Sequence, residues 1–119
     1  AVRFVSTSFD MMNGGELYVP RIPSMRILDL ANAVAPDVST YEIGIRPGEK
    51  LHEEMISLDD ASRTLRLPDR YVVQPTIASW GYTPPADGEP VANDFVYRSD
   101  TNDLWLSIEE LRDMIGTGA

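Results

Sequence analysis

Ser24-Met25-Arg26-Ile27-Leu28-Asp29-Leu30-Ala31-Asn32-Ala33-Val34-Ala35-Pro36 decides the fold class, because it reads as a helix standing between two strand-like stretches. Ile27, Leu28, Leu30, Ala31 and Val34 share one helical face, Ser24 is a good N-cap type, and Pro36 forbids continuation. Before this helix, residues 16–19 predict a short strand with Leu17 and Val19 on one face, and Pro20 and Pro23 punctuate the loop behind it. After it, Tyr41, Ile43 and Ile45 alternate with Glu42 and Gly44, which predicts a half-buried strand ending at Arg46.

Farther out, Val2, Val5, Phe9 and Met12 recur at helical spacing and Gly14 and Gly15 follow, so residues 1–13 read as the tail of a helix. Met55 and Ile56 predict a short strand, residues 57–63 a short helix, and residues 71–74 another strand. Gly81, Pro84, Pro85, Gly88 and Pro90 make residues 75–93 a long irregular loop, part of which Trp80 and Tyr82 are expected to pack. Ser107 and Glu110 form a capping box ahead of Ile108, Leu111, Met114 and Ile115, with Gly116 expected to close the last helix. The order is mixed α/β, and residues 1–119 are expected to form one lobe.

The 119 residues, 43% of them hydrophobic, suffice for one core. With no cysteine, disulfide scaffolds, thiolate metal sites and cysteine nucleophiles are excluded. Charges interrupt every apolar stretch well short of the roughly 20 residues a membrane span needs, and residues 1–10 lack the pattern of a leader, so a cytoplasmic protein is expected. A net charge of −9 repels a polyphosphate backbone, which argues against nucleic acid as a partner. An anionic ligand must then be held by a few local donors, which makes each Arg and the single lysine, Lys50, informative.

Arg46-Pro47-Gly48-Glu49-Lys50-Leu51-His52-Glu53 is where such donors gather, in a loop expected at the carboxyl end of a strand, where α/β folds place ligands. Pro47 and Gly48 favour a tight turn that points Arg46 and Glu49 into the same space. A guanidinium fork can take diphosphate oxygens while a carboxylate accepts from two ribose hydroxyls. The competing reading is a surface ion pair between neighbours.

His52, the only histidine, has no recognisable catalytic companion, and a structural or exposed role is expected. Asp59 and Asp60 suit the first turn of a helix better than an acid/base pair or a metal site. Trp80, Tyr82 and Trp105 could stack on a uracil, but core packing is the commoner role of such side chains. No pair of glycines has the spacing of a phosphate-binding fingerprint, and no metal site is expected.

The string Gly14-Gly15-Glu16-Leu17-Tyr18-Val19-Pro20-Arg21-Ile22-Pro23-Ser24-Met25, then Asp29-Leu30-Ala31 and residues 46–53, resembles the UDP-N-acetylglucosamine 4,6-dehydratases, the soluble inverting type most closely. The likeness continues through Glu54-Met55-Ile56-Ser57, Asp59-Asp60 and Ser99-Asp100-Thr101-Asn102. These are extended short-chain dehydrogenase/reductases, and the resemblance implies a small C-terminal substrate-binding lobe without the Rossmann part. It further implies that Arg46 contacts the diphosphate and Glu49 the ribose of UDP-N-acetylglucosamine, in bacterial glycan biosynthesis.

The family's reaction oxidises C4 of the sugar, eliminates water across C5 and C6, and returns the hydride to C6. NADP and a tyrosine followed four positions later by a lysine belong to the missing Rossmann part. The only lysine here is Lys50, with Arg46 four positions before it, so this chain holds no catalytic residue of that kind and is expected to be inactive alone. The apolar faces such a partner would cover make self-association an expectation, and a non-catalytic scaffold or interaction module is the alternative function.

Overall fold

Arg70-Tyr71-Val72-Val73, β-branched and aromatic, forms the most deeply buried strand of the chain. The computed structural model describes residues 1–117. Its elements run α1 (Val2–Met11), β1 (Leu17–Pro20), α2 (Ile27–Val34), β2 (Glu54–Ile56), a 3₁₀ helix (Leu58–Arg63), β3 (Thr64–Arg66), β4 (Arg70–Val73), β5 (Glu89–Pro90), β6 (Tyr97–Arg98) and α3 (Ile108–Thr117). The fold class is mixed helix and sheet, as the sequence predicts. Two compact units divide the chain, one made of Ala1–Arg21 with Glu54–Tyr97, the other of Ile22–Glu53 with the residues from Arg98 onward.

In the first unit the sheet order is β1-β4-β3-β5, and β1 with β4, β3 with β4 and β3 with β5 all pair antiparallel. Leu17 lies opposite Val73 on one edge of β4 and Thr64 lies opposite it on the other, so β4 is hydrogen-bonded on both sides. Because strand side chains alternate between faces, β4 feeds two cores. Tyr71 and Val73 pack with Val19, Ile56 and Tyr97 on one face, where the Tyr71 ring lies 4.9 Å from Tyr97 and 5.1 Å from Phe95. Val72 packs with Leu65 and Leu67 on the other, backed by Met11 of α1 and Tyr18 of β1.

Arg70 is buried in that unit beneath α1. Its guanidinium donates to both Asp69 carboxylate oxygens (2.9 and 2.7 Å), to Ser8 Oγ at 2.8 Å and to Thr7 Oγ1 at 2.7 Å. The Phe4 ring lies 4.6 Å from its carbon. These contacts tie the inner face of α1 to the sheet, while Val2, Val5, Phe9 and Met12 stay exposed on its outer face.

In the second unit α2 packs on α3, and Leu111 of α3 is buried. The capping box forms as expected: Ser107 N–H donates to Glu110 Oε2 at 2.8 Å and Glu110 N–H to Ser107 Oγ at 3.3 Å. Asn102 organises the approach to this helix. Its side-chain nitrogen donates to Ile22 O at 2.8 Å and Ser24 Oγ at 3.1 Å, and its backbone carbonyl accepts from Trp105 Nε1 at 2.7 Å.

Four local expectations need correction. Ser24 does not cap α2: Arg26 stands at the N-cap without a side-chain cap bond, and Ser24 instead bridges Trp105. Residues 41–45 form no strand; Tyr41, Ile43 and Ile45 are 85%, 68% and 60% exposed. Alternation makes a segment strand-competent, but a ladder needs a neighbour, and Gly44 at φ +79° takes the backbone out of the extended region. Gly116 lies inside α3, which runs on to Thr117. Finally, the irregular stretch 75–93 contains β5, held at the sheet edge by Leu65 opposite Pro90 and Arg66 opposite Glu89.

Candidate functional site

Arg46-Pro47-Gly48-Glu49 closes into a turn because Pro47 pre-sets the first central residue and Gly48, at φ +86°, supplies the positive φ of the second. Glu49 N–H donates to Arg46 O at 3.0 Å, and Arg46 N–H donates back to Glu49 Oε2 at 2.9 Å. Glu49 Oε1 lies 3.8 Å from Arg46 Nε, and the two side chains are 51% and 72% exposed. The structure therefore brings the two predicted site residues together on one turn, as an exposed ion pair. Such pairs contribute about 0–1 kcal/mol, less than a charge-assisted hydrogen bond to a ligand, so a diphosphate could displace this one at small cost.

The far end of the loop is anchored. Glu53 N–H donates to Ser99 Oγ at 3.0 Å and Ser99 N–H to Glu53 O at 2.9 Å. Arg98 grips Asp100 with two bonds of 3.0 and 2.9 Å, and His52 Nε2 lies 3.8 Å from the same carboxylate. His52 thus sits beside a carboxylate already engaged by Arg98, in a structural setting. Trp80 and Trp105 are both about half exposed, Trp80 packing beside Gly14 and Gly15.

Asp59 and Asp60 occupy the first turn of the 3₁₀ helix. The Ser57 hydroxyl and the Arg63 guanidinium hold the Asp60 carboxyl below the ordinary carboxylate range, and the Arg70 guanidinium does the same for Asp69. No group of three metal-ligating side chains occurs among the described residues. Sequence reasoning missed the Arg70 cluster, whose partners Thr7 and Ser8 stand more than sixty positions away with no local signal.

A pH dependence follows from Asp60 and Asp69. Their folded pKa values lie below their unfolded ones, so the stability they add is fully present above the unfolded value, about 4, and is lost as pH falls through the folded values. Thermal melting should be level from neutrality down to about pH 5 and fall below about pH 4, with Asp69→Asn flattening part of that fall. A melting temperature that declines evenly from pH 7 would contradict this.

Residues 1–75 match the family model described as polysaccharide biosynthesis protein. The chain belongs to that family. This polysaccharide biosynthesis family member is 44% identical over 96% of its length to a UDP-N-acetylglucosamine 4,6-dehydratase (inverting) of Campylobacter jejuni serotype O:2, and spans 36% of that protein. To the protein of the same name from serotype O:23/36 it is 43% identical, with the same coverage. The resemblance expected from the Gly14-to-Met25 string is present, over about a third of those relatives' length.

The solved X-ray structure of Pen from Bacillus thuringiensis matches 95% of the family member's chain and 34% of its own, at a TM-score of 0.79 and 26% identity. Among the described residues no helix is long and apolar enough to cross a membrane.

Proposed function

We propose that this chain is the UDP-binding lobe of a nucleotide-sugar 4,6-dehydratase acting on UDP-N-acetylglucosamine in the cytoplasm, with Arg46 on the diphosphate and Glu49 on the ribose. The observation that carries the reading is the exposed Arg46–Glu49 turn, which presents a guanidinium and a carboxylate side by side. High identity to dehydratases supports the choice of nucleotide sugar. NADP does not fit this chain: of its positive-φ glycines, 14, 15, 44, 48 and 81, none joins a strand directly to the first turn of a helix. Redox and proton chemistry are therefore assigned to other residues of the dehydratase, and the work of this lobe is binding and orientation.

Titrating UDP into the chain while following backbone amide resonances tests this. Weak saturable shifts confined to residues 45–50, absent in Arg46→Ala, are expected, because a half-site leaves the phosphates in water. Shifts elsewhere, or none at millimolar UDP, would sink the assignment. Gly48→Ala disfavours the left-handed turn by about 1 kcal/mol, which the exposed loop relieves by opening locally, so UDP affinity should fall about fivefold with little change in melting temperature.

A non-catalytic interaction module is the second reading, favoured by the exposed stripe of α1 beside a cleft lined by Phe4, Val5, Phe9, Met12 and Tyr18. Failure of UDP binding together with capture of a protein partner by that stripe would support it.

A further inference from the structure

Residues 75–87 cross the first unit held firmly at both ends and lightly between them. At one end Gln74 N–H donates to Arg63 O at 2.9 Å, and Gln74 O accepts from Arg63 Nη1 at 2.8 Å. At the other, Gly88 packs so closely on Leu65 that a Cβ there would lie 2.9 Å from Leu65 Cδ1. From Pro75 to Asp87, among the described residues, a single hydrogen bond reaches the rest of the unit, from Asn13 Nδ2 to Thr83 O at 3.3 Å.

Packing supplies the remaining attachment. Gly14 and Gly15, at φ +110° and +84°, make a corner that Glu16 holds by accepting the N–H groups of Asn13 and Gly14 at 2.6 and 2.7 Å. The Trp80 indole lies on that corner: a Cβ on Gly15 would stand 3.1 Å from Trp80 Cζ2 and 3.2 Å from Pro75 Cβ, so only glycine leaves the ring room. Tyr82 lies within electrostatic reach of Tyr18 and Glu16; burial first, and then the Glu16 charge, push both phenols above their ordinary pKa. Both hydroxyls are buried without a hydrogen-bond partner. An unpaired buried hydroxyl opposes burial, so in this contact the apolar gain from Trp80 and Tyr82 works against the dehydration of two polar groups.

We propose that residues 75–87 are a strap that opens and closes on the 13–18 corner, with Trp80 as its latch, and that opening returns the Tyr18 and Tyr82 hydroxyls to water. Glu16 and Tyr18 also line the cleft beside α1 with Phe4, Val5, Phe9 and Met12, so the strap sets how far that cleft reaches. Side-chain contacts alone hold the middle of the strap, and motion of such a segment belongs to the microsecond-to-millisecond range.

Fluorine NMR of the 119-residue chain labelled with fluorotryptophan tests this, because it has two tryptophans and Trp105→Phe leaves the Trp80 signal alone. Relaxation dispersion at Trp80, absent at Trp105, is expected from exchange with a minor open form. Tyr82→Phe keeps the ring and deletes an orphan hydroxyl, so the open population should fall at least about fivefold, and Tyr18→Phe should act in the same direction. Gly15→Ala drives a methyl toward the indole and should raise it about tenfold; should circular dichroism show that variant unfolded, the two phenylalanine variants decide. A Trp80 signal free of exchange in the parent would overturn the proposal, as would exchange at both tryptophans with one rate, which would report unfolding of the whole chain. Tyr82→Phe with a raised open population would do so too, since the hydroxyl would then be holding the strap closed.

Discussion

Arg46→Ala, introduced into a full-length dehydratase that contains this sequence, is expected to lower kcat/KM by about tenfold to a hundredfold or more, chiefly through KM. The proposed contact is to the diphosphate, which does not change during the reaction, so its loss removes binding felt equally in ground and transition states. A charge-assisted hydrogen bond contributes about 1.5–3 kcal/mol, which sets the size of the effect. The ion pair to Glu49 that the substitution also removes is too exposed to add much. Glu49→Gln keeps the shape and trades one acceptor for a donor, and should cost less. If binding energy from the diphosphate also orients the sugar, kcat falls as well, and the split between kcat and KM measures how much is used that way. Unchanged steady-state constants for both variants in a folded enzyme would reject the assignment and leave a surface ion pair.

Arg70→Ala should be the most destabilising exchange of a charged residue in the chain, at about 3 kcal/mol, or about 10 °C in melting temperature. The Arg70 side chain is only 4% exposed and donates four hydrogen bonds, so truncation deprives Thr7 and Ser8 of their guanidinium donor and opens a void beneath Phe4. Asp69, at 64% exposed, regains water, which keeps the loss below that of breaking a fully buried pair. Arg70→Lys keeps the charge without the planar fork and should fall between the two. Chemical denaturation at neutral pH measures all three; an Arg70→Ala variant within about 1 kcal/mol of the parent would show that α1 is held by apolar contact alone.

Where a segment's structure depends on its own residues, the sequence was legible. The capping box of α3 lies within four positions, the apolar face of α2 within eight, and the Pro47-Gly48 turn fixes its own dihedral angles. β4 was legible because a run of β-branched and aromatic residues suits a site buried on both faces. The pairing of Arg46 with Glu49 was likewise readable, since spacing and turn chemistry were enough to converge the two side chains. β3 and β5 were not, because three and two residues are too short for a period to register.

What the sequence by itself determined is the mixed α/β class, the dehydratase resemblance, and the turn that brings a cation and a carboxylate together, all consequences of local spacing and residue type. Only the tertiary structure decided whether a competent segment found a partner. Ser24 had the chemistry of a cap and became a bridge to Trp105, eighty-one positions away. Residues 41–45 had the alternation of a strand and stayed unpaired, while Arg70, unremarked in its strand, gathered two hydroxyls from α1. Hydrogen bonds between distant residues depend on which surfaces the chain brings into register, and no window of sequence contains both halves of such a contact.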